Sequence, residues 1–166
     1  EVLGPDAESV ALAWRFPGLA SKDFEVLQVV SQVLYNGKAG LIDLDLNQQQ
    51  KVLNSYGYPM GLADYSAFIL GGLPKQGQML EEVKDLLLNE IKKLRAGEFD
   101  EKMLQANINN FKLYELQSME SNEGRADIFV NSFINGTNWE DEVTAIDRMA
   151  KLTKEDIVAF ADKYLK

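Results

Sequence analysis

The sequence contains no histidine and no cysteine. Without imidazole there is no Ser-His-Asp triad and no His-ligated zinc, and the usual acid/base group of neutral pH is missing. Without thiol there is no disulfide, no thiolate nucleophile and no Cys-ligated metal, although cysteine-free chains occur in reducing and oxidising compartments alike. No run of eighteen apolar residues is present, so no candidate membrane-spanning helix is offered. Cations are also scarce. Against 26 Asp and Glu stand 17 Lys and Arg, a formal net charge of -9, and a field of that sign repels nucleic acid and anionic lipid. Neither nucleic acid nor membrane is expected as a partner.

What remains is the composition of a folded chain. Of 166 residues, 46% are hydrophobic and 10% aromatic, enough to bury about 70% of the unfolded surface around one core. A single domain over residues 1–166 is expected, with no internal linker, repeat or low-complexity run. The first residue is Glu1 and no basic, apolar leader precedes the first pattern. That favours a fragment of a longer or processed protein and leaves the compartment, periplasmic or cytoplasmic, unassigned.

Residues 9–17, "SVALAWRFP", alternate: Val10, Leu12, Trp14 and Phe16 lie on one side and Ser9, Ala11, Ala13 and Arg15 on the other. That is the period of a half-buried strand. Pro17-Gly18 ends it, Ser21 can cap a helix, and Phe24, Leu27, Val30 and Leu34 predict that helix from Lys22 to Tyr35. After Asn36-Gly37, "LIDLDLNQQQ" fits helix and strand periods alike, and a short helix is the preferred reading. Two antiparallel strands follow, "KVLNSYGYP" and "YSAFILGGLP", with Gly57 and Gly71-Gly72 marking bulges or close backbone approach.

From Leu80 the pattern is helical. Leu80, Val83, Leu86, Leu87, Ile91 and Leu94 form a stripe closed by Gly97, and Asp100 can cap a second helix carrying Met103, Leu104, Phe111, Tyr114 and Leu116. After the polar break "SMESNEGR", a third helix holds Ala126, Phe129, Val130, Phe133 and Ile134, and Gly136 ends it. Asn138 caps a short helix with Val143, Ile146 and Met149, and Thr153 to Asp156 resembles a capping box opening the last. Strands segregated from helices give an α+β fold, an antiparallel sheet with helices packed on one face.

The motifs with chemical content are few. Asp43, Asp45 and Asn47 begin like a calcium loop, but the sixth and twelfth positions hold Gln48 and Asn54 in place of Gly and Glu. They are read as solvated residues alternating with Ile42, Leu44 and Leu46. Asn135-Gly136-Thr137 matches a glycosylation sequon, yet it sits where a helix must end on Gly. Glu81-Glu82 and Glu140-Asp141-Glu142 fall in first helical turns, where they favour the positive end of the helix dipole. "NGKAG" and "LGGLPKQG" match no phosphate-cradling motif, and Trp14 and Trp139 read as packing residues.

In its strand-helix-strand-strand-helix order, the run from "VALAWRFPG" through "DFEVLQVVSQVLYNGKAGLIDLDL", "VLNSYGYPMGLADYSAFILGGLP" and "LEEVKDLLLNEIKKLRAGEFDEKMLQ" resembles one repeat of the pitrilysin/insulinase family of zinc metallopeptidases, to which mitochondrial processing peptidase belongs. The likeness covers nearly the whole chain and rests on diffuse spacing. It implies the clamshell-half fold, with "GLIDLDLNQQQ" as a connector whose acids are incidental. The family's catalytic repeat carries H-x-x-E-H, two zinc-binding His and a water-activating Glu. This chain has no His, so the resemblance implies a noncatalytic repeat with no catalytic, metal or cofactor residues of its own. Zinc is expected in a homologous catalytic repeat, on the same chain or a separate subunit, with a peptide substrate enclosed between the two. Many such repeats carry an Arg and, four residues on, a Tyr that touch substrate. Gln50 and Asn54 stand there, so no substrate contact is carried over. The acidic balance fits plain solubility better than a chamber wall selecting basic peptides. The competing function is a scaffold module with no link to proteolysis.

Overall fold

The computed structural model describes residues 7–166. β1 (Val10–Pro17), β2 (Asn54–Met60) and β3 (Tyr65–Leu73) form an antiparallel sheet in the order β1-β3-β2. The register pairs Leu12, Trp14 and Phe16 with Leu70, Phe68 and Ser66, and Gly57 with Leu70. Side-chain alternation therefore gives one inward row system, with Phe16, Phe68 and Leu70 at 2%, 0% and 0% exposure.

The helices lie against that inward face. α1 (Lys22–Leu34) buries Leu27, Val30 and Leu34, and α2 (Leu80–Arg95) buries Val83, Leu87, Ile91 and Leu94. α6 (Lys154–Tyr164) closes the layer with Ile157, Phe160 and Ala161. Phe16 stacks on Phe160 with ring centroids 5.7 Å apart. Each fully buried Leu, Val or Phe stabilises the fold by about 1.5–3 kcal/mol relative to exposure. The fold is α+β, an antiparallel sheet with helices packed on one face. α3 (Lys102–Met119), α4 (Asn122–Asn135) and α5 (Trp139–Met149) extend it to one side.

Local chemistry sets the boundaries. The Ser21 hydroxyl accepts from the Asp23 amide and caps α1, the Asn138 side chain caps α5, and Thr153 with Asp156 forms a full capping box on α6. Gly136, at φ 65°, closes α4 in the left-handed conformation that glycine adopts without strain. The sequon is thus occupied by a helix cap, and the Thr137 hydroxyl bonds Ser132. The break between α3 and α4 is shorter than "SMESNEGR" implied: the helices stop at Met119 and resume at Asn122, because Ser121 caps from the Gly124 amide.

The connector corrects the sequence reading. Asp43–Asn47 is one π-helical turn continuing the short helix begun at Leu41, and its polar residues are neither solvated nor incidental. Asp43 is 4% exposed, and its Oδ2 accepts from the Asn36 and Gly40 amides, both at 3.0 Å. Asp45 pairs with Lys93 of α2 at 2.6 Å. The Asn47 side chain takes the Ser55 amide and gives to the Ser55 carbonyl, both at 2.8 Å, which anchors the first residues of β2. Helical geometry directs the three side chains to three different neighbours, where strand alternation would have lined them up on one side.

Candidate functional site: the uncovered face of the sheet

Among the described residues no helix lies over the second face of the sheet. Three cross-strand rows compose it: Ala11, Gly71 and Tyr56; Ala13, Ile69 and Tyr58; Arg15, Ala67 and Met60. Tyr65 lies beyond them, opposite Pro17. Tyr58, Met60 and Tyr65 are 46%, 41% and 55% exposed. The face is apolar because small residues on β1 leave room and aromatic rings on β2 fill it. A Cβ on Gly71 would stand 2.4 Å from the Tyr56 ring, so glycine there lets the ring lie on the backbone. Tyr56 and Tyr58 stack with centroids 6.2 Å apart.

Charge is nearly absent from this face. Arg15 is the one ionic side chain in the three rows, and its guanidinium sits 3.5 Å from the centroid of the Tyr65 ring. Beside it a shallow depression of about 280 Å³ is lined by Ala13, Trp14, Arg15, Leu62, Tyr65, Ser66 and Ala67. The acids that give the chain its net charge stand elsewhere, among them the first-turn acids Glu81-Glu82 of α2 and Glu140-Asp141-Glu142 of α5. An acidic wall is therefore not what this face presents.

Among the described residues no three metal-ligating side chains gather. The best buried acids are engaged: Asp43 by two backbone amides, Asp45 and Glu90 by Lys93, at 2.6 and 2.8 Å. The residues present do not fit a zinc ion. Glu90 is 1% exposed and its Oε2 has no protein partner. Desolvation holds its carboxyl above the ordinary value of 4.5, against the pull of the Lys93 ammonium.

Gln50 and Asn54, which stand where the resemblance implied an Arg and a Tyr, leave the connector on its exposed side. Gln50 adopts a positive φ of 51°, and Asn54 opens β2 opposite Leu73. Asn54 shares the open face, one alternation step before Tyr56, while Gln50 lies outside the strands. The sequence reading singled out no residue of the open face as a site. The signal available was alternation, which already set Ala11, Ala13 and Arg15 on one side of β1. Trp14 lies on the other face, stacked at 6.2 Å on Phe68. Trp139 stacks at 4.2 Å on Phe129 and remains 40% exposed.

Comparison with known proteins gives consistent results. The family of the peptidase M16 inactive domain matches residues 2–111. The zinc protease PqqE of Helicobacter pylori is 28% identical over 98% of this chain and 37% of its own length. The crystal structure of a protease from Helicobacter pylori superposes with a TM-score of 0.87 at 22% identity, over 95% of this chain and 38% of that one. The inactive peptidase domain of a putative zinc protease from Bordetella parapertussis gives 0.80 at 17% identity, over 100% and 91%. The chain spans 37% of the length of the curated relative. Among the described residues no helix is long and apolar enough to cross a membrane.

Proposed function

The chain belongs to the peptidase M16 inactive-domain family, and from that premise we propose that residues 1–166 form one noncatalytic domain of a larger zinc peptidase assembly. Its role is to enclose a peptide against a homologous repeat that carries H-x-x-E-H and the zinc. The observation that carries this reading is the uncovered sheet face, where Tyr56, Tyr58, Met60, Tyr65 and Ile69 are held on rigid strands and Arg15 is the one ionic side chain among the described residues of the paired rows. Such a surface contacts an extended chain through apolar side chains and contributes no proton transfer, nucleophile or metal. Binding surface of this kind acts on substrate affinity more than on the chemical step.

The test separates those two effects. The chain alone should cleave no peptide with zinc supplied. In the assembly with the zinc-binding repeat, Tyr58→Asp should raise KM about 10-fold and leave kcat within about 2-fold, the pattern of lost uniform binding. Tyr58 is 46% exposed and stacks on Tyr56, so the substitution should cost about 1 kcal/mol of stability, too little to unfold the domain. An unchanged KM would remove the sheet face from the substrate path, and cleavage by the isolated chain would overturn the noncatalytic assignment.

A further inference from the structure

The helical layer carries a second apolar surface, on a different element. α4 touches α3 and α5, and Ser132 is its one buried residue. Phe129, Val130, Phe133 and Ile134 are 57%, 53%, 88% and 68% exposed, and their spacing makes one broad stripe along the helix. Trp139 extends the stripe by stacking on Phe129. A groove of about 380 Å³ lined by Tyr114, Ile128, Val143 and Ile146 carries apolar surface across to α3 and α5. With the exposed parts of Tyr114, Leu116 and Val143, these side chains present on the order of 900 Å², taking about 150–250 Å² per aromatic ring. That exceeds the largest patch of a typical monomer, about 300–600 Å², and equals one partner's share of a standard interface, about 800 Å².

Charge selects among occupants. The segment that bears the patch holds Glu120, Glu123, Asp127, Glu140, Asp141, Glu142 and Asp147. Its two cations are already engaged: Arg125 with the Met119 carbonyl and Asn122, and Arg148 with Glu25 and Asp141. A second copy would set acid against acid in a chain of net charge -9. The partner that fits is an apolar helix surface rimmed by Lys and Arg.

We propose that the α4 stripe and the adjoining α3–α5 groove dock the zinc-binding repeat through such a surface. The proposal rests on the reading of the chain as one domain of a peptidase assembly, and it names the contact. The chain's 37% share of its curated relative leaves the larger part of such a protein available to cover the patch.

The experiment uses the chain and the zinc-binding repeat encoded with it, and measures their Kd by sedimentation and the hydrogen exchange of residues 122–135. Phe133→Glu with Ile134→Glu should weaken association at least about 30-fold, as loss of an interface centre does, and Tyr58→Asp should not. Amides of α4 should gain protection only in the wild-type complex, and added salt should weaken it. Equal binding by wild type and the double variant would overturn the α4 contact while keeping the pairing of the two repeats. Failure of the wild type to bind would overturn both. Dimerisation of the chain alone, abolished by the double variant, would assign the patch to a second copy and overturn the proposal.

Discussion

Glu90 shows how a single side chain couples this fold to pH. It lies on α2 with one oxygen on Lys93 and the other without a partner, and burial raises its pKa above 4.5. The folded state therefore holds a proton that the unfolded state has released across the window just above that value. Stability falls as pH rises through this window, and the full penalty is present once the folded carboxyl ionises. Glu90→Gln removes this titration and leaves Lys93 its bond to Asp45. Stability of Glu90→Gln relative to the wild type should rise as pH increases above the ordinary carboxyl value of 4.5, read from urea midpoints. A difference constant across that range would show that burial of this carboxyl has no such effect.

At the scale of the element, the connector from α1 to β2 is the part whose chemistry was hardest to anticipate. Its π-helical turn is held by Asp43 to the end of α1, by Asp45 to α2 and by Asn47 to β2. Asp43→Ala would leave the Asn36 and Gly40 amides without their acceptor in a nearly dry setting. A loss of about 2–3 kcal/mol is expected, with Asp43→Asn costing less because one carbonyl oxygen can still accept. Denaturation midpoints with an unchanged m-value would check it, and an Asp43→Ala midpoint equal to wild type would refute the anchoring role. α4 is the opposite case. Its helix was legible from Gly136 and the 3.6 period, but the apolar positions that defined it point to solvent. Periodicity finds an amphipathic helix without saying which neighbour covers its apolar side.

Across the whole molecule, tightness is uneven. β3 contributes Phe68 and Leu70 to a core shared with α1, α2 and α6, where many residues are fully excluded from solvent. α4 buries one serine. α5 is tied back to α1 by Arg148, whose Nε lies 3.0 Å from Glu25, while Tyr164 of α6 bonds Asp23. Native-state hydrogen exchange of the chain alone should therefore show α4 opening locally, several kcal/mol below the global unfolding that releases β3 and α1 amides. Equal protection in α4 and β3 would mean that the layers unfold as one unit. Charge is just as unevenly distributed: acids gather on the helices, while among the described residues the paired rows of the open sheet face carry Arg15 alone.

The sequence by itself determined the order of elements, the caps that open α1, α5 and α6, the α+β class and the exclusion of His-dependent zinc chemistry, since each depends on residue identity and on neighbours within a few positions. It also determined which residues share a side of β1. The tertiary structure decided that the side bearing Ala11, Ala13 and Arg15 stays uncovered, because that depends on where α1, α2 and α6 settle. It likewise decided that Asp43, Asp45 and Asn47 hold three separate elements together, and that Phe133 stands in solvent. A local pattern fixes which side chains point the same way; what they meet is set by segments far along the chain, through long-range packing that the pattern does not encode.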